Sequence, residues 1–282
     1  MVEDQASTTA LSVSVIRAVH QTVDELPHIL EDQVSLRLLD RVTIQQISTE
    51  STKHGSTRSK ALRSHIVLRS RYAEDRLYAS YKSGIRQYIS LGAGYDTFAC
   101  RQPDWATNLK IIEIDHPATQ SAKLKHFRNS GITFPKNTEF HSIDLEANGL
   151  RERLSQSTID VSAPMFISCL GVLAYLRVET VEKIFRDIAE MPKGSRFVFA
   201  FAPYKREDAD PQKGIESTAQ RAAAHGEPWL TRFKADELGK RLVDCGFSKV
   251  AFLEPEEAWQ QYYQSRKDLP APKSIRLCEA SV

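Results

Sequence analysis

The sequence predicts an α/β protein: a seven-stranded, largely parallel sheet with helices on both faces, preceded by a helical N-terminal segment. Three observations predict it. Residues 1–85 carry helical periodicity and no strong strand, and the period changes at residue 86. Short β-rich runs then alternate with helical patterns. The first run, "YISLGAGYDTF" (88–98), ends in a glycine turn. In open α/β sheets, such a turn marks the strand ends where ligands bind.

In the N-terminal segment, "TTALSVSVIRAVHQTV" has a threonine cap candidate and apolar residues at helical spacing. "TESTKHGSTRS" (49–59) is a Ser/Thr/Gly-rich break. "KALRSHIVLRSRYAEDRLYASYKSG" reads as one long helix stopped by Gly84. The expected strands are "QYISLG", "LKIIEID", "EFHSID", "PMFISCLG", "SRFVFAFAP", "FSKVAFLEP" and "SIRLCEA". Their near-continuous apolar character fits a sheet covered on both faces. Helices are expected near 117–130, 148–157, 178–191, 207–223 and 232–245. The last two strands look like a closing pair, because "EEAWQQYYQSRKDLPAPK" between them is too irregular for a clear crossover helix. One domain is expected, with 1–85 as an extension and 86–282 as the core.

Composition narrows the function. Lys+Arg 38 against Asp+Glu 36 leaves no overall field toward nucleic acid or a membrane surface. No apolar run is long enough to span a bilayer, and the polar start "MVEDQASTT" is unlike a secretory signal. The expected location is cytoplasmic. Cys100, Cys169, Cys245 and Cys278 form no C-x-x-C pair, so neither a metal site nor a disulfide framework is expected.

Gly92 and Gly94 let the backbone approach a small ligand or simply close a tight turn. The dinucleotide fingerprint wants a third glycine where Thr97 or Phe98 stands, which disfavours a dehydrogenase. Asp115 ends the second strand, where a carboxylate accepts from a ribose diol; it could equally cap the helix opening at Pro117. Asp144 ends the third strand, where it could accept from an adenine amino group while Leu145 offers its backbone N–H; a plain turn aspartate is the alternative. The three signals converge on one crevice.

"LGAGYDTFACR", "IIEIDHPATQSAK", "SIDLE" and "LGVLAYL", in that order, resemble the leucine carboxyl methyltransferase family, and more closely its small-molecule O-methyltransferase branch. The resemblance extends to "TALSVSVIRAVH", "RSRYAEDRL", "GEPWLTRF" and "RLCEA", nearly the whole chain. It implies a class I methyltransferase, Rossmann-like, with the N-terminal helices as a lid and S-adenosyl-L-methionine as cofactor. By position, Gly92 and Gly94 would line its methionine part, Asp115 the ribose, and Asp144 with Leu145 the adenine. Arg17 and either Arg69 or Arg71 would grip its carboxylate, with Arg69 favoured. Phosphatase-directed members carry a glutamate where this chain has Leu170, at the edge of the cofactor site; this argues for a small-molecule acceptor.

The acceptor decides what catalysis requires. A carboxylate, with a pKa near ~4, is ionised at neutral pH, whereas a phenol, near ~10, needs a base. The sequence offers no clear base. His116 and His141 read as structural, and His225 and Tyr175 are the catalytic candidates. Arg177 and Arg232 are candidates to meet an acceptor acid, and Trp229, among Phe233, Trp259, Tyr262 and Tyr263, could wall a flat substrate. The expected activity is methylation of a carboxylate of a small organic acid, aromatic acids included. The alternatives are hydroxyl methylation in natural-product biosynthesis and an inactive cofactor-binding scaffold.

Overall fold

The computed structural model describes residues 6–49, 54–147, 149–204 and 214–282. Among the described residues, α1 (Thr8–Val23), α2 (Gln33–Arg37), α3 (Arg41–Thr49) and α4 (Thr57–Lys82) come first. Then follow β1 (Gln87–Leu91), β2 (Lys110–Asp115), α5 (Pro117–Asn129), β3 (Thr138–Ser142), α6 (Leu150–Ser155), β4 (Phe166–Cys169), α7 (Val178–Ala189) and β5 (Arg196–Ala200). The chain closes with α8 (Gly214–Ala224), α9 (Ala235–Cys245), β6 (Lys249–Phe252), α10 (Pro255–Ala258) and β7 (Leu277–Ser281).

All seven expected strands form one sheet in the order β3-β2-β1-β4-β5-β7-β6. The strands are parallel except β7, which runs antiparallel to both neighbours. Alternation assigns each face. Ile89, Ile112, Ile167, Phe197 and Phe199 pack with Phe185 of α7 and Leu242 of α9 on one side. Tyr88, Ile111, Phe166, Val198 and Leu277 pack with Val67, Leu68 and Leu77 of α4 on the other. The long N-terminal helix is therefore part of the core's second layer. Among the described residues, no helix is long and apolar enough to cross a membrane.

Several expectations shift. The cap of α1 is Ser7, whose hydroxyl accepts from Ala10 N. The third strand stops at Ser142, so Asp144 lies in the turn beyond it. The irregular stretch before β7 begins with α10, which has Pro255 in its first turn and is continued by a π-helical turn over Trp259–Tyr263. Of the 49–59 break, residues 50–53 lie outside the described residues, as do 148 and 205–213 of two expected helices.

The N-terminal helices are fastened to the core by buried charge. Arg63 of α4 donates to both carboxylate oxygens of Asp24, at 2.6 Å each, and His20 of α1 meets the same carboxylate at 2.7 Å. Burial lowers the His20 pKa from its ordinary value, against the pull of Asp24; His28 and Arg266 lower it further. The folded state thus keeps His20 neutral where the unfolded chain would take up a proton. Stability from this group is present above the ordinary histidine pKa of about 6.5 and falls as pH drops through that value. Thermal melting should show a loss of Tm from pH 7.5 to about 5.5. His20→Gln should flatten that slope; an identical slope in the variant would remove His20 as its source.

Candidate functional site

The site forms at the carboxyl ends of β1, β2 and β4, in the middle of the sheet. Gly92 N and Ala93 N both donate to Ile114 O, at 2.7 and 3.0 Å, which folds the turn after β1 over the end of β2. Gly92 has φ +69° and Gly94 φ +52°, a region that side chains rarely adopt. A Cβ on Gly92 would drive into Val172, in the turn after β4, so the two turns interlock. Gly94 faces the N-terminal helices: its Cβ would stand 3.1 Å from Ala10 Cβ of α1.

Asp115 sits at the tip of β2. Its Oδ1 accepts from His116 N at 2.7 Å and its Oδ2 from Gly94 N. Burial raises its pKa, opposed by those two donors. The carboxylate thus pins the glycine turn, and each oxygen keeps lone-pair capacity for a hydroxyl. The helix-capping alternative goes instead to His116, whose Nδ1 accepts from Ala118 N at 3.4 Å, with Pro117 in the first turn. Glu113, one turn of strand earlier, faces inward and pairs with Lys123 of α5. Asp144 holds its own turn, accepting from Glu146 N at 2.9 Å, and Leu145 packs partly buried on the core beside it.

The two expected carboxylate-gripping arginines fare differently. Arg17 is brought to the glycine turn, but its Nε donates to Asp32 at 2.9 Å and one Nη to Tyr95 O. It is a fastener of α1, with only part of its fork left for a ligand. Arg71 points elsewhere: it bonds Asp75 at 2.9 Å and is 43% exposed. Arg69 remains. Its guanidinium lies against Gly171, whose absent Cβ would stand 2.9 Å from Arg69 Cζ. Arg69 makes no ion pair or hydrogen bond with the described residues. Burial pulls its pKa down to about 10, with Tyr175 and Asp96 holding it up and Arg17 adding to the fall. A half-buried cation in a glycine cradle, with no ion pair among the described residues, fits a ligand carboxylate.

Sequence reasoning missed the charges beneath the turn. Arg101 bonds both oxygens of Glu74 on α4 and approaches Asp32 at 3.5 Å. Asp96 accepts from Thr97 N at 2.7 Å; Arg17, Lys123 and Arg101 hold its carboxyl below the ordinary range despite burial. The "YDTF" run carried Asp96 in plain view, but two of its partners, Arg17 and Lys123, come from helices distant in sequence.

Beyond Gly171, Tyr175 is half-buried beside Arg69, Thr9 and Glu227. Leu230 N donates to Ala174 O at 2.7 Å and Thr231 Oγ1 to Leu176 O at 2.6 Å, clamping the 229–233 strip onto this turn. Trp229 is thereby set next to Tyr175, and its buried Nε1 has no well-aligned hydrogen-bond partner. Leu170 lies at the end of β4, partly buried against the α4-side core. Arg232 stacks over Trp229 at 5.4 Å.

The remaining expected residues are placed as follows. His225 is exposed just past the end of α8. Arg177 is engaged by Glu146 at 3.0 Å and is 66% exposed, so it is drawn to the surface. The late aromatics make no common wall: Phe233 is in the core, Tyr263 bonds Ser64 at 2.7 Å, Tyr262 bonds Asp75 at 2.9 Å, and Trp259 is exposed.

The sequence profile of the leucine carboxyl methyltransferases matches residues 10–189. The chain belongs to that family. A candidate S-adenosyl-L-methionine-dependent methyltransferase of Bacillus subtilis, YktD, is 28% identical over 99% of both chains. One of Mycolicibacterium paratuberculosis is 27% identical, over 93% of this chain and 85% of its own. Among solved structures, a candidate methyltransferase of Thermobifida fusca superposes with TM-score 0.57 at 14% identity, over 99% of this chain and 96% of that one. A protein of Streptomyces avermitilis does so with TM-score 0.54 at 15% identity, over 99% and 98%. The fold is that of the class I methyltransferases.

Asp115→Ala should weaken binding of S-adenosylhomocysteine by about 1–3 kcal/mol, the cost of leaving buried donors unpaired. Calorimetry checks this, and an unchanged affinity would take Asp115 out of the site. Gly171→Ala should also weaken binding, by displacing Arg69, while Gly84→Ala, with open space around its Cβ, should not.

Proposed function

We propose that this protein is an S-adenosyl-L-methionine-dependent O-methyltransferase that methylates a carboxylate of a small organic acid. The family and its named relatives support the cofactor. In this reading Gly92 and Gly94 approach its methionine part, Asp115 takes the ribose hydroxyls, Asp144 and Leu145 the adenine, and Arg69 the carboxylate. The N-terminal helices, with Ala10 over Gly94 and Thr9 near Tyr175, act as the lid. When bound, the cofactor supplies a methyl group on a sulfonium, ready for in-line displacement.

The observation that favours a carboxylate acceptor is the state of Tyr175. Burial raises the pKa of its phenol, partly offset by the Trp229 and Arg69 neighbours. At neutral pH it is therefore a hydrogen-bond donor and not a base. Together with the indole N–H of Trp229 it presents donors to the acceptor. An ionised carboxylate accepts such bonds and needs no proton removed before it attacks. Positioning and exclusion of water by the helices above would then supply most of the rate.

A hydroxyl acceptor is the second reading. It is favoured by Glu227, buried beside Tyr175 and without an ion-pair partner among the described residues. A screen of aromatic acids against the matching phenols, read as S-adenosylhomocysteine release, separates the two. Acids should turn over to products cleaved by mild base; phenol turnover with base-stable products would contradict the carboxylate reading. Tyr175→Phe should lower kcat on the acids by about tenfold, or ~1.4 kcal/mol, with cofactor affinity unchanged.

A further inference from the structure

Buried arginines in this chain are generally answered by acids: Arg17 by Asp32, Arg63 by Asp24, Arg101 by Glu74. One region of the cleft breaks that pattern. Arg276 stands just before β7, and its carbonyl accepts from Phe201 N at 3.0 Å, which fixes its backbone at the carboxyl edge beside the end of β5. Its Nε donates to Ser274 Oγ at 3.1 Å. No acidic side chain among the described residues pairs with it.

His65 lies on α4, one helical turn before Arg69 and on the same face. Its ring has no hydrogen-bond partner among the described residues, and it lies within electrostatic reach of both Arg69 and Arg276. Burial drives the His65 pKa well below its ordinary value, and burial alone brings Arg276 down to about 10. Three basic side chains, His65 and the two arginines within its electrostatic reach, are thus all half-buried, and none forms an ion pair with a carboxylate among the described residues. Holding desolvated cations unpaired is costly, and an incoming anion relieves that cost. Arg69, cradled by Gly171 next to the glycine turn, is on the cofactor side; the backbone of Arg276 is fixed at the end of β5, and His65, one helical turn from Arg69, is within electrostatic reach of both.

We propose that Arg276 and His65 form an anion subsite that holds a carboxylate of the acceptor, Arg276 by its guanidinium fork and His65 by its ring N–H. This rests on the methyltransferase reading above and names the part of the cleft that selects an acid. It also replaces Arg177 as the residue that meets the acceptor.

Acetate is the probe, because a carboxylate this small fits a subsite built for a larger acid, and acetamide is its uncharged counterpart. Protein carrying 15N-arginine, saturated with S-adenosylhomocysteine, is titrated with acetate and separately with acetamide, and the guanidinium Nε–H resonances are followed. Arg276→Lys assigns the resonance by removing it. The Arg276 resonance should shift saturably with acetate and stay still with acetamide. His65→Gln should weaken the acetate midpoint by about threefold or more while leaving cofactor affinity intact. An Arg276 resonance that ignores acetate, or answers acetamide equally, overturns the subsite. Failure of S-adenosylhomocysteine to shift the Arg69 resonance would instead count against the cofactor reading, so the two failures are distinct.

Discussion

The site depends on one steric constraint: two turns at adjacent strand ends must come closer than side chains permit. β1 and β4 are neighbours, but their chains leave in opposite directions along the sheet, so a crevice opens above them. The turn after β1 brings Gly92 onto Val172, and the turn after β4 brings Gly171 onto Arg69. Both glycines have positive φ, and both face a neighbour that a Cβ would strike. The crevice is shaped by backbone, so its walls are rigid while side chains of α1, α4 and the 229–233 strip close around it.

Electrostatics then divides the molecule into two kinds of region. Beneath the glycine turn, acids and bases are matched: Asp32, Glu74, Asp96 and Glu113 stand against Arg17, Arg101 and Lys123. Such buried pairs add little net stability over apolar packing but fix one arrangement strongly, since removing either partner strands a charge. Here they fix α1, α2 and α4 to the turn. Above it, Arg69 and Arg276 have no such partners among the described residues. The contrast between satisfied and unsatisfied charge is what separates scaffold from site in this chain.

Most of the sheet was legible in the sequence because its strands are short apolar runs between glycine, proline and polar breaks. The glycine turn, Asp115 and the placement of Tyr175 just after the fourth strand followed from strand order; the approach of Trp229 to that turn did not. Side-chain partnership was not legible. Nothing in "SVIRAVH" says that Arg17 meets Asp32, and nothing in "LRSRY" says which arginine turns inward; helical phase decides that, and Arg69 shares its face with His65 and the core residues Ile66 and Tyr72 flank it. Arg177 and His225 were plausible by position, but one is captured by Glu146 and the other is left on the surface. The "SIRLCEA" run was read as a strand, and its arginine passed unnoticed because antiparallel closure, which brings residue 276 back to the carboxyl edge, is a property of topology.

The central claim is that an adenosine cofactor lies across the tips of β1, β2 and β3 with its amino-acid end at Arg69. A crystal structure with S-adenosylhomocysteine tests it most directly. The account predicts the ribose on the Asp115 carboxylate, the adenine beside Leu145 and the ligand carboxylate against the Arg69 guanidinium. Density for the nucleoside elsewhere, or an Arg69 that turns away from the ligand, would contradict it.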